Sequence, residues 1–269
     1  MDRSGLRETI VRSLEAQILR GELAVGARLP SQRELERAFH ASRPVVREAL
    51  HTLAERQLVR IIPGKGAFVS QPTPLALAES LQLMLASRQA TVRDLVEARR
   101  AIEGQTAWLA AERATAADLA ALELALKGMA AAGGLLERVR WDVAFHLAVA
   151  RAAQNPLLEV LFLALVPLAA ELMVRSWADP VVAAAGGPYH QAIAQAIHQR
   201  DPAGAREALL AHLAVPEQLY GDDYTRPLDW VARRELGRVL GSVEQLHALL
   251  AAAAAPAPPL DPGGAAPGS

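Results

Sequence analysis

The chain has 269 residues, no cysteine and a formal net charge of −1 at pH 7, which excludes disulfides and thiolate metal sites and allows one large domain or two modest ones. Hydrophobic residues make up 52% but aromatics only 4%, the balance of Ala- and Leu-rich packed helices rather than sheets. No apolar stretch of membrane-spanning length escapes charge and the start, MDRSGLRETIVRSLEAQI, has no signal-peptide core, so a cytoplasmic protein with no membrane partner is expected.

Charge is unevenly distributed. Residues 1–71 carry 12 Arg and Lys against 8 Asp and Glu, a balance of +4, and the remainder carries 16 against 21, or −5. A basic front on an acidic body fits a nucleic-acid-reading module joined to something else. Along the chain, residues 6–20 place apolar side chains at helical spacing and stop at Gly21. Gly26-Ala-Arg-Leu-Pro30 reads as a turn, and Ser31-Gln-Arg-Glu34 as a capping box opening a helix over 32–39. Ser42 is expected to cap a second helix running to about Arg56, with Pro44 tolerated in its first turn. Strand-like residues 58–62, the turn Pro63-Gly-Lys-Gly66 and a second short strand over 67–70 complete a winged helix-turn-helix, expected over 1–71.

Gln71-Pro-Thr-Pro74 is the expected linker. Beyond it the pattern is helical at about 75–87, 92–112, 116–131, 135–153, 156–176, 180–199 and 203–219. Thr91-Val-Arg-Asp94 and Thr115-Ala-Ala-Asp118 resemble capping boxes, and breaks fall at Gly133-Gly134, Asn155-Pro156, Asp179-Pro180 and Asp201-Pro202. The fold class is therefore mainly α: a winged helix-turn-helix joined to an all-helical bundle of six or seven helices. The bundle is expected over 72–222, with a further helix within 223–255 (about 227–254) and a disordered Pro/Gly-rich tail over 256–269.

Four bundle residues have spacings that would let them converge. Asp142 and His146 are four apart, hence on one helix face. His190 lies about eleven residues before the break at Asp201-Pro202 and His212 about ten after it. If those helices fold back on each other, both imidazoles stand at one height, roughly 15 Å from the turn at 1.5 Å per residue. Three imidazoles and a carboxylate suit one divalent transition metal per chain, zinc foremost, with nickel, manganese or iron as alternatives. The other histidines, His40, His51, His198 and His247, fit no such pattern and read as structural.

LPSQRELERAF, followed by SRPVVREALHTLAERQLVRIIPGKGAFV, resembles the DNA-binding domain of the GntR family of bacterial transcription regulators. EARRAIEGQTAWLAAERA, FHLAVARAAQNPLL and YHQAIAQAIHQRDPAGAREALLAHL resemble the all-helical effector domain of its FadR branch, the FCD domain. The resemblance covers residues 6–220, and LALAESLQLML is similar to the extra helix of the seven-helix version. It implies a homodimer on a palindromic double-stranded operator, most often a repressor released by a small organic acid. A winged module lays its second helix in the major groove, which points to Ser42, Arg43, Pro44, Val45 and Arg47. The resemblance adds Arg33, the wing-tip Gly64 and the neighbouring Lys65. Asp142, His146, His190 and His212 match its metal ligands, and Arg99 and Asn155 match residues near its effector.

The residues leave alternatives open. Arg99 has a rival in Arg100, and could instead pair within its helix with Glu97 or Glu103; Asn155 could simply cap the helix at Pro156. Other readings are a regulator answering to the ion itself, a metal-free site for an acyl-thioester, and a metal-dependent hydrolase. Against the hydrolase, the chain has no HExxH motif, nucleophile elbow or phosphate loop, so no enzymatic activity is expected.

Overall fold

Side chains at the first turn decide where most of the helices begin. The computed structural model describes residues 3–70 and 74–231, and the chain divides into two units, 1–76 and 77–269. In the first unit, α1 (Arg3–Leu19) precedes α2 (Gln32–Phe39), which opens on a complete capping box. The Ser31 N–H donates to Glu34 Oε2 at 2.7 Å and the Glu34 N–H to Ser31 Oγ at 3.3 Å, so two amides with no helical partner are satisfied. His40 closes α2 with φ 50°, a left-handed conformation suited to ending a helix. Helix α3 (Arg43–Glu55) follows after three residues, His40, Ala41 and Ser42.

The core of this unit is one apolar cluster in which Ile10, Val11 and Leu14 of α1 meet Val46, Leu50 and Leu53 of α3. Strand β1 (Val59–Ile62) pairs antiparallel with β2 (Gly66–Val69), Val59 opposite Val69 and Ile62 opposite Gly66. Gly64 has φ 73° and Gly66 φ 107°, values that only glycine adopts without strain, so the wing turn needs both. Three expectations are corrected. Of residues 26–30, read as a turn, Gly26 is in one, but 27–29 line up on β2 through Leu29 N–H to Ala67 O and Val69 N–H to Ala27 O, each 2.8 Å. Ser42 holds the N-cap position of α3 without a side-chain capping bond. Val45, expected at the DNA, is 2% exposed: it lies on the same stripe as Val46, Ala49 and Leu53 and packs into the core.

The second unit contains α5 (Val92–Arg113), α6 (Ala116–Ala131), α7 (Leu135–Ala152), α8 (Pro156–Ala178), α9 (Pro180–His198) and α10 (Pro202–Ala214). The division between units falls within α4 (Pro74–Ser87). Thr91 and Thr115 form complete capping boxes with Asp94 and Asp118. Asn155, Asp179 and Asp201 cap α8, α9 and α10, each with proline just inside the helix, where a missing N–H costs nothing. Small residues Ala107 and Ala110 of α5 sit in one cluster with Phe145 and Val149 of α7, Ile193 and Ile197 of α9, and Leu209 of α10. Arg200, at φ 59° in the α9–α10 turn, donates to the carbonyls of Ala111 and Ala114, fixing that hairpin against the end of α5.

The helix expected over 203–219 is two elements. Pro216 lacks an N–H and its ring opposes a helical carbonyl four residues back, so α10 stops at Ala214, followed by α11 (Glu217–Tyr220) and a 3-10 turn, Gly221–Thr225. A helix is entered at residues 228–231; the rest of the one expected over 227–254, the tail over 256–269 and His247 lie outside the described residues.

Helix α8 is long and apolar enough to cross a membrane, but 61% of its most apolar stretch is buried among the other helices. It carries Glu171, whose Oε2 is buried without a hydrogen-bond partner among the described residues. Arg175, one turn on, is held by Asp223 and the Leu219 carbonyl instead. Burial pushes the Glu171 carboxyl up to about 8. In the unfolded chain this group ionises near 4.3, so folding is unpenalised below that pH and loses stability as pH rises from there to about 8. Glu171→Gln is expected to leave stability at pH 4 unchanged and raise it by roughly 2–4 kcal/mol at pH 8. Urea unfolding at the two pH values measures this, and equal gains at both would refute it.

Candidate functional site

In the first unit, α3 presents one exposed face. Arg43, Pro44 and Arg47 line a groove there with Arg7 of α1 and with Glu48, His51, Thr52 and Glu55. Ser42, Arg33, Gly64 and Lys65 are also exposed. A guanidinium at the N-terminal end of such a helix reaches guanine O6 and N7 when the helix enters a major groove. Arg7 and Glu48 were not singled out in the sequence, and His51 was read as structural. Arg7 lies too far along the chain from α3 for spacing to connect them.

In the second unit, Asp142, His146, His190 and His212 come together. One ligating atom from each lies within 4.8 Å of the others, with three of the residues buried and His212 half-buried. Helix α7 supplies Asp142 and His146 on adjacent turns of one face, while α9 and α10 bring His190 and His212 level across the Arg200 turn. His146 Nε2 is 3.3 Å from His212 Nε2 and 3.4 Å from Asp142 Oδ1, and His190 Nε2 is 2.8 Å from Asp142 Oδ1.

Two further residues orient this set. Glu103 of α5 places Oε2 2.6 Å from His146 Nδ1 and also binds the Arg99 guanidinium one turn away. Trp177 of α8 donates Nε1–H to Asp142 Oδ2 at 2.9 Å, leaving Oδ1 for the cluster. Burial opposes ionisation of Glu103, but Arg99 and His146 outweigh it and hold the carboxyl at about 2. Asp142 is likewise buried, yet His190 and His146 keep it well below the ordinary carboxylate range. For His146, burial favours the neutral ring, and Glu103 and Asp142 together raise it to about 9. His212 is driven well below its ordinary value by burial and by the neighbouring His190 and His146.

These residues fit a divalent cation. With an ion bound, Glu103 at 2.6 Å would keep the His146 proton on Nδ1 and leave the Nε2 lone pair toward Asp142 and His212. Lone pairs that face one another in a buried space call for positive charge, either extra protons or a metal ion. Three of the donor separations, 2.8–3.4 Å, bracket the roughly 3.3 Å edge of a tetrahedron with bonds of about 2.0–2.1 Å, and all four donors lie within 4.8 Å of one another. The buried Asp/His3 cluster is thus compatible with a metal site.

The cluster opens on a small cavity of about 40 Å³, lined by Arg99, Asp142, His190 and His212 together with residues of α8, α9, the end of α10 and the segment after it. Arg99 is 6% exposed and pairs with Glu103. Its rival Arg100 pairs with Glu217. Asn155 corrects the effector expectation: its Oδ1 accepts the N–H groups of Leu157 and Leu158, and it is a helix cap rather than one of the lining residues. Glu103 was weighed only as a partner for Arg99, and Trp177 not at all. The (i, i+4) spacing from Arg99 was a usable signal for the first; none existed for the second.

The description "Bacterial regulatory proteins, gntR family" matches residues 6–69 and "FCD domain" matches residues 94–215. The HTH-type transcriptional regulator LutR of Bacillus subtilis is 35% identical over 210 residues, 75% of this chain and 95% of its own length. The galactonate operon transcriptional repressor of Escherichia coli is 31% identical over 213 residues, 77% of this chain and 93% of that one. Among solved structures, Streptococcus agalactiae GntR superposes with a TM-score of 0.62 at 27% identity, covering 78% of this chain and 99% of that chain. With a winged helix-turn-helix, a helical bundle and these relatives, the chain belongs to the GntR family as a DNA-binding transcriptional regulator carrying an FCD domain.

Proposed function

We propose that this protein is a cytoplasmic homodimeric repressor whose affinity for a palindromic operator is controlled by a small organic acid, bound beside a divalent metal ion in the helical unit. The observation that carries the reading is the shared cavity: one space is lined by Arg99 and by three of the four Asp/His residues. Asp142, His146, His190 and His212 would hold the ion, zinc foremost. When bound, the ion supplies a Lewis-acidic point for a carboxylate or hydroxyl oxygen of the effector.

The chain's own residues do the rest. Arg99 offers a cation to the carboxylate, Glu103 holds Arg99 and His146 in place, and Trp177 fixes Asp142. With a divalent ion, the charges of Arg99, Glu103 and Asp142 leave the site at about +1, matching a monocarboxylate. On the DNA side, Arg33, Ser42, Arg43, Pro44 and Arg47 would face the major groove, and Gly64 and Lys65 the minor groove and phosphates at the wing. One module contacts few bases, so two are needed for genomic specificity. A relative named as an operon repressor supports the sign of regulation.

Control requires the acid to bind the DNA-free arrangement better than the bound one. Couplings of this kind are typically about 5–150-fold. Zinc-loaded protein on operator DNA, titrated with a panel of small carboxylic acids, is expected to release DNA over that range, and Arg99→Ala to abolish the response while keeping the ion. Release by zinc alone, with no acid effect, would replace this reading with an ion sensor.

A further inference from the structure

We infer that Gly186 and Gly187 determine the specificity of the effector cavity: they leave a bare strip of α9 beside the metal ligands, along which the carbon chain of the acid lies. The inference rests on the acid-and-metal reading above and names what that site accepts.

Two consecutive glycines inside a 19-residue helix need a reason, because glycine is less favourable than alanine there. Neither has a positive φ, and although Pro188 crowds a Cβ on the helical residue before it, α8 carries Val166 in the same place before Pro167, so the ring does not require glycine at residue 187. Nor does packing. Among the described residues, and apart from its own chain neighbours and helix backbone, a Cβ on Gly187 would meet nothing within 4 Å, and one on Gly186 would only touch the His212 ring at 3.9 Å. Both line the cavity. Gly186 and Gly187 precede His190 by four and three residues, so they continue its face one turn, about 5 Å, along the helix. Ala183 extends the same face by another turn and also lines the cavity.

The rest of the lining selects the class of acid. Arg99 has Nε and Nη2 on Glu103, and no hydrogen bond is made by its Nη1 among the described residues. Val182, Leu213, Val215 and Pro216 are apolar. The two polar lining residues of α8 are already engaged: Ser176 donates to the Leu172 carbonyl at 3.0 Å and Trp177 to Asp142. Hydroxyls along a sugar-acid chain would go unpaired there, a strong basis for rejection. A carboxylate, at most a hydroxyl beside it, and a short aliphatic chain match the wall.

The test uses zinc-loaded wild type, Gly186→Ala and Gly187→Val, titrated calorimetrically with glycolate, lactate, 2-hydroxybutyrate, 2-hydroxyhexanoate and gluconate. Wild type is expected to bind members of the aliphatic series and not gluconate. Both variants should keep one ion per chain and their glycolate affinity within about threefold, while losing about tenfold or more for the longest acid that wild type binds. Gly186→Ala should also melt at a higher temperature. An unchanged chain-length profile overturns the inference and leaves the effector reading standing. Loss of the ion or of glycolate binding overturns it as well, because the strip would then be structural. Gluconate bound in preference to the aliphatic acids overturns the assigned class. If zinc-loaded wild type binds none of the acids, the effector reading fails, and this inference with it.

Discussion

His190→Ala is expected to purify folded and without a metal ion, and wild type with about one divalent ion per chain. His190 is buried between α7 and α10, and its Nε2 is one of the converging donors. A whole four-ligand zinc site contributes about 10–16 kcal/mol, so one ligand is worth roughly 3–4 kcal/mol, or a few hundredfold in affinity. Elemental analysis after purification without metal-affinity chromatography reads occupancy, and chelator competition reads affinity. Zinc at about a hundredfold its dissociation constant should stabilise wild type by about 2.7 kcal/mol and the variant by far less. One ion per chain retained in His190→Ala would show that the cluster is not the site. Glu103→Gln keeps the shape but weakens the acceptor on His146 Nδ1, and a smaller loss of about 10–100-fold is expected.

Arg43→Ala is expected to abolish specific operator binding while the fold stays intact. Arg43 is exposed at the first residue of α3 and contributes nothing to the cluster formed by α1, α3 and the wing. A bidentate arginine–guanine pair is worth about 1–3 kcal/mol of discrimination. A dimer uses two, so the expected loss is roughly 30-fold to 10⁴-fold. Gel shifts on an operator selected from random duplexes, with single-base variants at each position, separate the roles. Base reading predicts that Arg43→Ala flattens preference at one position per half-site. An arginine that only neutralises a phosphate would instead, on removal, weaken all sequences alike and reduce the salt slope by about 0.9 for each phosphate left without its cation. Unchanged affinity and preference would remove Arg43 from the interface.

Much of this protein was legible in its sequence because the relevant interactions are local. Ser31 with Glu34, Thr91 with Asp94, and Asn155, Asp179 and Asp201 before prolines set helix starts through atoms at most a few residues apart. The wing turn required glycine at residues 64 and 66 for the same kind of reason. Even the Asp/His quartet was readable, since an (i, i+4) pair and two residues equidistant from a turn are geometry that a helix imposes on its own. Val45 was misread although its signal was present: the stripe Val45, Val46, Ala49, Leu50 and Leu53 already marked it as core. The break at Pro216 was equally visible in the chain.

What depended on tertiary structure is which faces meet. Whether Arg99 would pair with Glu97, Glu103 or a ligand was open until α5 packed against α7 and set Glu103 beside His146. Trp177 reaches Asp142 across 35 residues, and Glu171 Oε2 is left without a hydrogen-bond partner among the described residues while Arg175 is drawn to Asp223. The bare strip at Gly186 and Gly187 is likewise invisible in a helix taken alone, for it is defined by the helices that do not fill it. Periodicity and capping act within about a turn and are written in the chain. Burial, second partners of buried groups and empty space depend on elements far apart in sequence coming together, and those were decided only when the helices packed.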